Sequence, residues 1–122
     1  MSKILVVDDE AANRLLVAAV LQPHGHEVFE AADGTEGLQL AHDLVPDLIV
    51  VDLFMPGMSG TELVKALRAD PGTRDTRIAL YSATRPDAAL RDFMHVARVE
   101  HVIPKPSEPE ELVRIVNDAL SS

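Results

Sequence analysis

The chain has 122 residues, 47% of them apolar and 25% charged, and its 11 basic and 20 acidic side chains give a net charge of −9. That length suits one domain with a core of ordinary size, and the composition excludes a disordered chain. With no cysteine, disulfide frameworks and thiolate chemistry are excluded, and an acidic chain with only four aromatic residues is ill suited to binding nucleic acid directly.

Ile4 to Val7 is an uninterrupted apolar run stopped by Asp8. It fits a strand buried on both faces and is far shorter than the roughly 7–15 apolar residues of a signal-peptide core. From Ala11 to Gln22, apolar residues at Leu15, Leu16, Ala19 and Val20 give a helical spacing that Pro23 and Gly25 close. The longest apolar run, Leu15 to Leu21, falls well short of the roughly 20 residues of a membrane helix, so no membrane association and a cytoplasmic location are expected. Val28-Phe29 predicts a short edge strand, and Asp33 with Glu36 predicts the start of a helix that Pro46 ends.

Leu48 to Val51 is a second buried strand, ending in Asp52. Ser59-Gly60-Thr61-Glu62 reads as a capping box, opening a helix that stops at Pro71-Gly72. Ile78 to Tyr81 forms a fourth strand ending at Ser82, and Thr84, Pro86 and Asp87 open a helix carrying Leu90, Phe93, Met94 and Ala97. Val102-Ile103 is a weak fifth strand cut by Pro104, as an edge strand allows. Ser107 to Glu110 caps a last helix whose Leu112, Ile115, Val116 and Ala119 form one stripe. Asp33 and Asp87 read as helix caps, His24-Gly25-His26 as a turn, His95 and His101 as surface residues, and Met55 and Met58 as gap-filling loop residues.

Five strand-then-helix units imply an α/β domain over residues 1–122: one five-stranded parallel sheet with helices on both faces, joined by right-handed crossovers. In such a sheet all strands end at the same edge, where ligands bind. The first strand delivers Asp8 and Asp9 to that edge, the third Asp52, the fourth Ser82, and Lys105 follows the fifth. The local charge is −3 plus 1, or −2. Crowded carboxylates either hold a proton or take a cation. Oxygen donors without histidine or cysteine select a hard ion, magnesium (or manganese) above others. A carboxylate beside such an ion is able to attack phosphorus and form an aspartyl phosphate. Lys105 would then neutralise the transferring group, and Ser82 would donate a hydrogen bond to it.

Taken in order, Ile4-Leu5-Val6-Val7-Asp8-Asp9-Glu10, the run from Asp52 to Gly60, Ser82-Ala83 and Lys105-Pro106 resemble a CheY-like response-regulator receiver domain, the phosphoacceptor half of a two-component signalling pair. The resemblance covers nearly the whole chain and implies the flavodoxin-like strand order 2-1-3-4-5. It implies Asp52 as the phosphorylation site. It also implies magnesium held by Asp9, Asp52 and the backbone carbonyl of Phe54, with Asp8 acting through a bound water. Lys105 would pair with the acyl phosphate, Ser82 would be the switch hydroxyl and the Ala83 amide a second phosphoryl contact. Phe54 and Thr84 would flank the site and tune the lifetime of the phosphate, and the Lys105-Pro106 bond would be cis.

The partners so implied are a sensor histidine kinase or histidine phosphotransfer protein upstream and an effector protein downstream. The chain would be a switch rather than an enzyme, with slow self-dephosphorylation at most. If the chain is complete, its output must be another protein. Asn13-Arg14 resembles receivers of hybrid kinases and cyclic-dinucleotide regulators. Two positions depart from the family pattern: Val102 replaces the usual aromatic switch residue, and Arg98 replaces a favoured glycine, so a different turn is expected there. These departures leave room for an alternative, a degenerate receiver acting as a constitutive binding module. A magnesium-dependent phosphatase is disfavoured, since Glu10 stands two residues beyond Asp8 and no cap domain is inserted.

Overall fold

The two uninterrupted apolar runs lie side by side at the centre of a parallel sheet in the computed structural model, which describes residues 2–122. They form β1 (Lys3–Val7) and β3 (Leu48–Asp52). Around them the chain adds α1 (Ala11–Leu21), β2 (Glu27–Ala31), α2 (Gly34–Leu44), α3 (Gly60–Ala69), β4 (Arg77–Ser82), α4 (Ala88–Ala97), β5 (His101–Pro104) and α5 (Pro109–Leu120). The sheet order is β2-β1-β3-β4-β5 with every pairing parallel, as expected from the resemblance. The two weakest predicted strands take the edges, where Pro104 costs no ladder hydrogen bond on its open side. No helix among the described residues is long and apolar enough to cross a membrane.

Alternation along the strands builds two cores. Ile4, Val6, Leu48, Val50, Ala79 and Ile103 face α1 and α5, meeting Val17, Leu21, Leu112 and Val116. Leu5, Val7, Ile49, Val51 and Leu80 face the opposite way, against Ala41 of α2, Leu63, Val64 and Leu67 of α3, and Ala97 of α4. Both faces of the central strands are therefore covered, which is why they read as unbroken apolar runs.

The predicted caps on Asp33, Ser59 and Asp87 are present, accepting from the amides of Glu36, Glu62 and Leu90 respectively. At Ser59 the box is reciprocal, because Glu62 accepts from the Ser59 amide at 3.1 Å. Glu36 instead reaches the Ala32 amide at 2.8 Å. Other boundaries differ. α1 ends at Leu21 and tightens into a 3₁₀ turn over Gln22–His24, as Pro23 has no amide hydrogen to continue the α ladder. α4 begins only at Ala88, after the extended stretch through Pro86. Ser107 does not cap α5: its hydroxyl donates to the Pro104 carbonyl, and Glu108 holds the N-cap position without a side-chain bond. The expected change of turn at Arg98 is corrected too. Arg98 takes φ 59° and ψ 43°, the left-handed region that glycine favours, so the turn survives with arginine in it.

Candidate functional site

Strand register places the acids. Val7 pairs with Val51, so one step further Asp8 stands beside Asp52 at the carboxyl edge of the sheet. Asp8 is held on every side. Its amide donates to the Ala31 carbonyl at 3.1 Å, and its Oδ1 accepts from the Glu10 amide at 2.9 Å. Its Oδ2 accepts from Lys105 Nζ at 3.0 Å. Asp9 is exposed and makes no side-chain hydrogen bond among the described residues. Asp8, Asp9 and Asp52 each offer a carboxylate oxygen, and the three oxygens lie within 4.8 Å of one another.

Lys105 reaches this cluster from the far side of the sheet. Its amide donates to the Ser82 carbonyl at 2.9 Å, continuing the β4–β5 pairing one step past Pro104, and the Lys105-Pro106 bond is cis as expected. Nζ then lies 3.0 Å from Asp52 Oδ1 as well as from Asp8, bridging the two buried carboxylates. It also sits 4.5 Å from the centroid of the Tyr81 ring. Tyr81 is the register partner of Asp52 and is buried among the α1 and α5 side chains. Sequence reasoning missed it; the aromatic immediately before Ser82 at a strand end was the available signal.

Burial pushes the Asp52 carboxyl above its ordinary range, Asp8 adds to the rise, and the Lys105 hydrogen bond and the Phe54 amide only partly oppose it. Burial alone would lower the Lys105 ammonium, but its bonds to Asp52 and Asp8 outweigh that and hold it above the usual lysine value. The Tyr81 phenol is raised, chiefly by burial. A cluster of acids in which one carboxyl resists ionisation, with one ammonium among three carboxylates, is short of positive charge. The donor set is all oxygen, so a hard divalent cation fits it.

The loop after β3 starts with the Leu53 amide bonded to the Tyr81 carbonyl at 3.2 Å and closes where the Gly60 amide meets the Leu53 carbonyl at 3.0 Å. Phe54 projects from it, 69% exposed, and with Thr84, Lys65, Arg85, Leu90 and Phe93 lines an open cavity of about 420 Å³ between α3 and α4. Ser82 is buried, but its hydroxyl is engaged in its own loop, donating to the Thr84 carbonyl at 3.1 Å and accepting from the Thr84 amide at 3.1 Å. Ala83 and Thr84 are exposed at the mouth of the site, as is Pro106, whereas Val102 is half-buried and packs against the α4-side core. The arrangement therefore brings Asp8, Asp9, Asp52 and Lys105 together, and leaves the Ser82 hydroxyl engaged within its own loop.

A five-stranded parallel sheet with three acids and a lysine at its carboxyl edge defines a class of regulatory phosphoacceptor modules, and this chain belongs to it: residues 4–117 match the family model of the response regulator receiver domain. The family serves phosphorylation-dependent two-component signalling, uses magnesium at its acid cluster and is regulatory rather than a classical enzyme. Among its relatives, the chain is similar to protein PilH of Pseudomonas aeruginosa, 28% identical over 121 residues and 99% of each chain. It is also similar to the DNA-binding response regulator MtrA of Mycobacterium tuberculosis, 35% identical over 118 residues, spanning 97% of this chain but 50% of that one. Its fold superposes on the Vibrio cholerae chemotaxis protein CheY4 with a TM-score of 0.91, at 33% identity over 98% of both chains.

Proposed function

We propose that this chain is a phosphorylation switch in which Asp52 accepts a phosphoryl group from a sensor histidine kinase or a histidine phosphotransfer protein. The observation that carries the reading is the bridge from Lys105 to both Asp8 and Asp52, with the exposed Asp9 carboxylate beside them. Asp52 Oδ1 is engaged by Lys105, so the second carboxylate oxygen is the nucleophile. It attacks phosphorus as the bond to the donor histidine nitrogen breaks, and the electron pair returns to the imidazole. Asp9, Asp52 and the Phe54 carbonyl would hold magnesium directly, with Asp8 acting through water. When bound, magnesium neutralises the phosphoryl oxygens and the crowded acids.

Lys105 pairs with the acyl phosphate, while Ser82 leaves Thr84 to donate to a phosphoryl oxygen and the Ala83 amide supplies a second contact. Thr84 and Phe54, at the mouth, set the access of the hydrolytic water and hence any slow self-dephosphorylation. The signal passes to an effector protein at the surface around α4, β5 and α5, within the cytoplasm. Acetyl phosphate with magnesium should phosphorylate the wild type and leave Asp52→Ala unmodified by intact-mass measurement. Equal modification of both proteins sinks the assignment. A constitutive binding module is favoured by Val102 alone; it would gain if phosphorylation proceeds and affinity for the effector stays unchanged.

A further inference from the structure

Arg14 lies in the first turns of α1 and is absorbed by none of the roles above. Its side chain is only 16% exposed, and its Nη1 donates to the Asp8 carbonyl oxygen at 2.7 Å. Its Nε donates to Glu30 Oε1 at 3.1 Å, and Glu30 stands on β2 next to Ala31, whose carbonyl receives the Asp8 amide. A planar guanidinium is thus fixed at two of its nitrogens, one on a carboxylate and one on a backbone oxygen, a geometry that a lysine ammonium cannot reproduce.

The Asp8 carbonyl belongs to the peptide plane that joins Asp8 to Asp9. Asp8 has its own anchors at amide, Oδ1 and Oδ2, whereas the Asp9 carboxylate has none among the described residues. The orientation of that one peptide plane therefore sets the direction in which Asp9 leaves the backbone. We propose that Arg14, aligned by Glu30, is a positioning residue that orients the Asp8–Asp9 peptide and so presents the Asp9 carboxylate to magnesium; this rests on the reading of Asp9 and Asp52 as metal ligands. Groups that orient ligands from outside the coordination sphere typically change metal affinity by ~10–100-fold when removed.

Charge alone would act with the opposite sign. Arg14 is a cation bonded to the backbone of an acid cluster. If charge alone mattered, deleting it would leave the cluster more negative and tighten magnesium binding. If positioning dominates, deletion weakens it.

The test is magnesium titration of the full chain, followed by calorimetry and by the amide shift of Asp9, for wild type, Arg14→Ala and Arg14→Lys. Arg14→Ala is expected to bind magnesium ~10-fold more weakly, and Arg14→Lys, which keeps the charge and one donor, to recover part of that loss. Thermal melts and unchanged β3 and β4 amide shifts identify variants that fold normally. Arg14→Ala binding magnesium as tightly as wild type, or more tightly, overturns the inference. A wild type that binds no magnesium overturns instead the assignment of the acids as ligands, so the two failures are distinct.

Discussion

A methyl group at Gly60 would overlap the Asp52 carbonyl oxygen and come within 2.8 Å of the Leu53 Cα. These are backbone atoms, which cannot swing aside as a side-chain tip would. Gly60→Ala is therefore expected to lower stability by about 1–3 kcal/mol, the usual scale of overpacking, and to slow phosphorylation by acetyl phosphate, since the strain falls on the backbone of Asp52 itself. Urea denaturation alongside a phosphorylation time course checks both. Asp52 itself supplies a pH test. Its carboxyl titrates above the ordinary value of 3.8 when folded, so the native state binds that proton more tightly than the unfolded chain does. The resulting stability is fully present below the unfolded value and is lost as pH rises through the folded one. Metal-free wild type should thus lose stability across that window as pH rises. Asp52→Asn should remove this slope, and magnesium affinity should fall as acid protonates Asp52. Parallel slopes for wild type and Asp52→Asn in thermal melts would contradict this. Of the site, Asp8, Asp9, Asp52 and Lys105 were legible because parallel strands deliver their end residues to one edge. The Tyr81 ring under Lys105 and the Arg14–Glu30 clamp were not, because each depends on side-chain direction across neighbouring elements rather than on spacing along the chain.

At the scale of the element, the boundaries easiest to read were those set by a side-chain cap. A cap such as Ser59 or Asp87 acts on an amide three residues away, so the signal is local, whereas the stop at Leu21 and the uncapped start at Pro109 depend on how the neighbouring turns pack. The Ser59–Glu62 box gives a direct test. Ser59→Ala should cost about 1 kcal/mol, within the range for lost N-caps. Bonding to the Ser59 amide holds the Glu62 carboxyl below its ordinary value. The advantage of wild type over Glu62→Gln is therefore present at neutral pH and disappears as pH falls through that lowered value. α2 ends less comfortably. Val45, 62% exposed, occupies its C-cap at φ 48° and ψ 63°, a left-handed conformation that strains a β-branched residue. Val45→Gly relieves that strain and surrenders little burial, so it should stabilise the chain by about 1 kcal/mol, read as a rise in urea midpoint. A fall would show that the Val45 side chain contributes packing that outweighs the backbone cost.

Across the whole molecule, the question is how far a change at Asp52 spreads. For the Ser82 hydroxyl to donate to a phosphoryl oxygen as proposed, it must turn from the Thr84 carbonyl, its present acceptor, which loosens the loop from Ala83 to Asp87. In receivers with an aromatic residue at the position of Val102, a ring would follow the hydroxyl inward; here the side chain is small and already packed against the core beside Leu80. The far end of α4 is also tied down. Arg68 donates to the Ala97 carbonyl at 2.7 Å and to the Thr76 carbonyl at 2.6 Å, binding the end of α4 to the loop before β4. The N-terminal end of α4 borders the open cavity, and its side-chain hydrogen bonds among the described residues stay within its own turn, from Leu90 to Asp87 and from Arg91 to Pro86. A motion started at Ser82 should therefore hinge α4 about its clamped C-terminal end. With beryllofluoride and magnesium, amide shift changes are expected to concentrate between Ala83 and Leu90, to fade before Ala97, and to leave β5 nearly unchanged. Val102→Tyr, which restores a ring at that position, should extend them into β5, while Arg68→Ala should extend them to the end of α4. Wild-type changes as large at Ala97 and Val102 as at Thr84 would mean that the switch travels through the β4–β5 ladder itself, with no need of a ring.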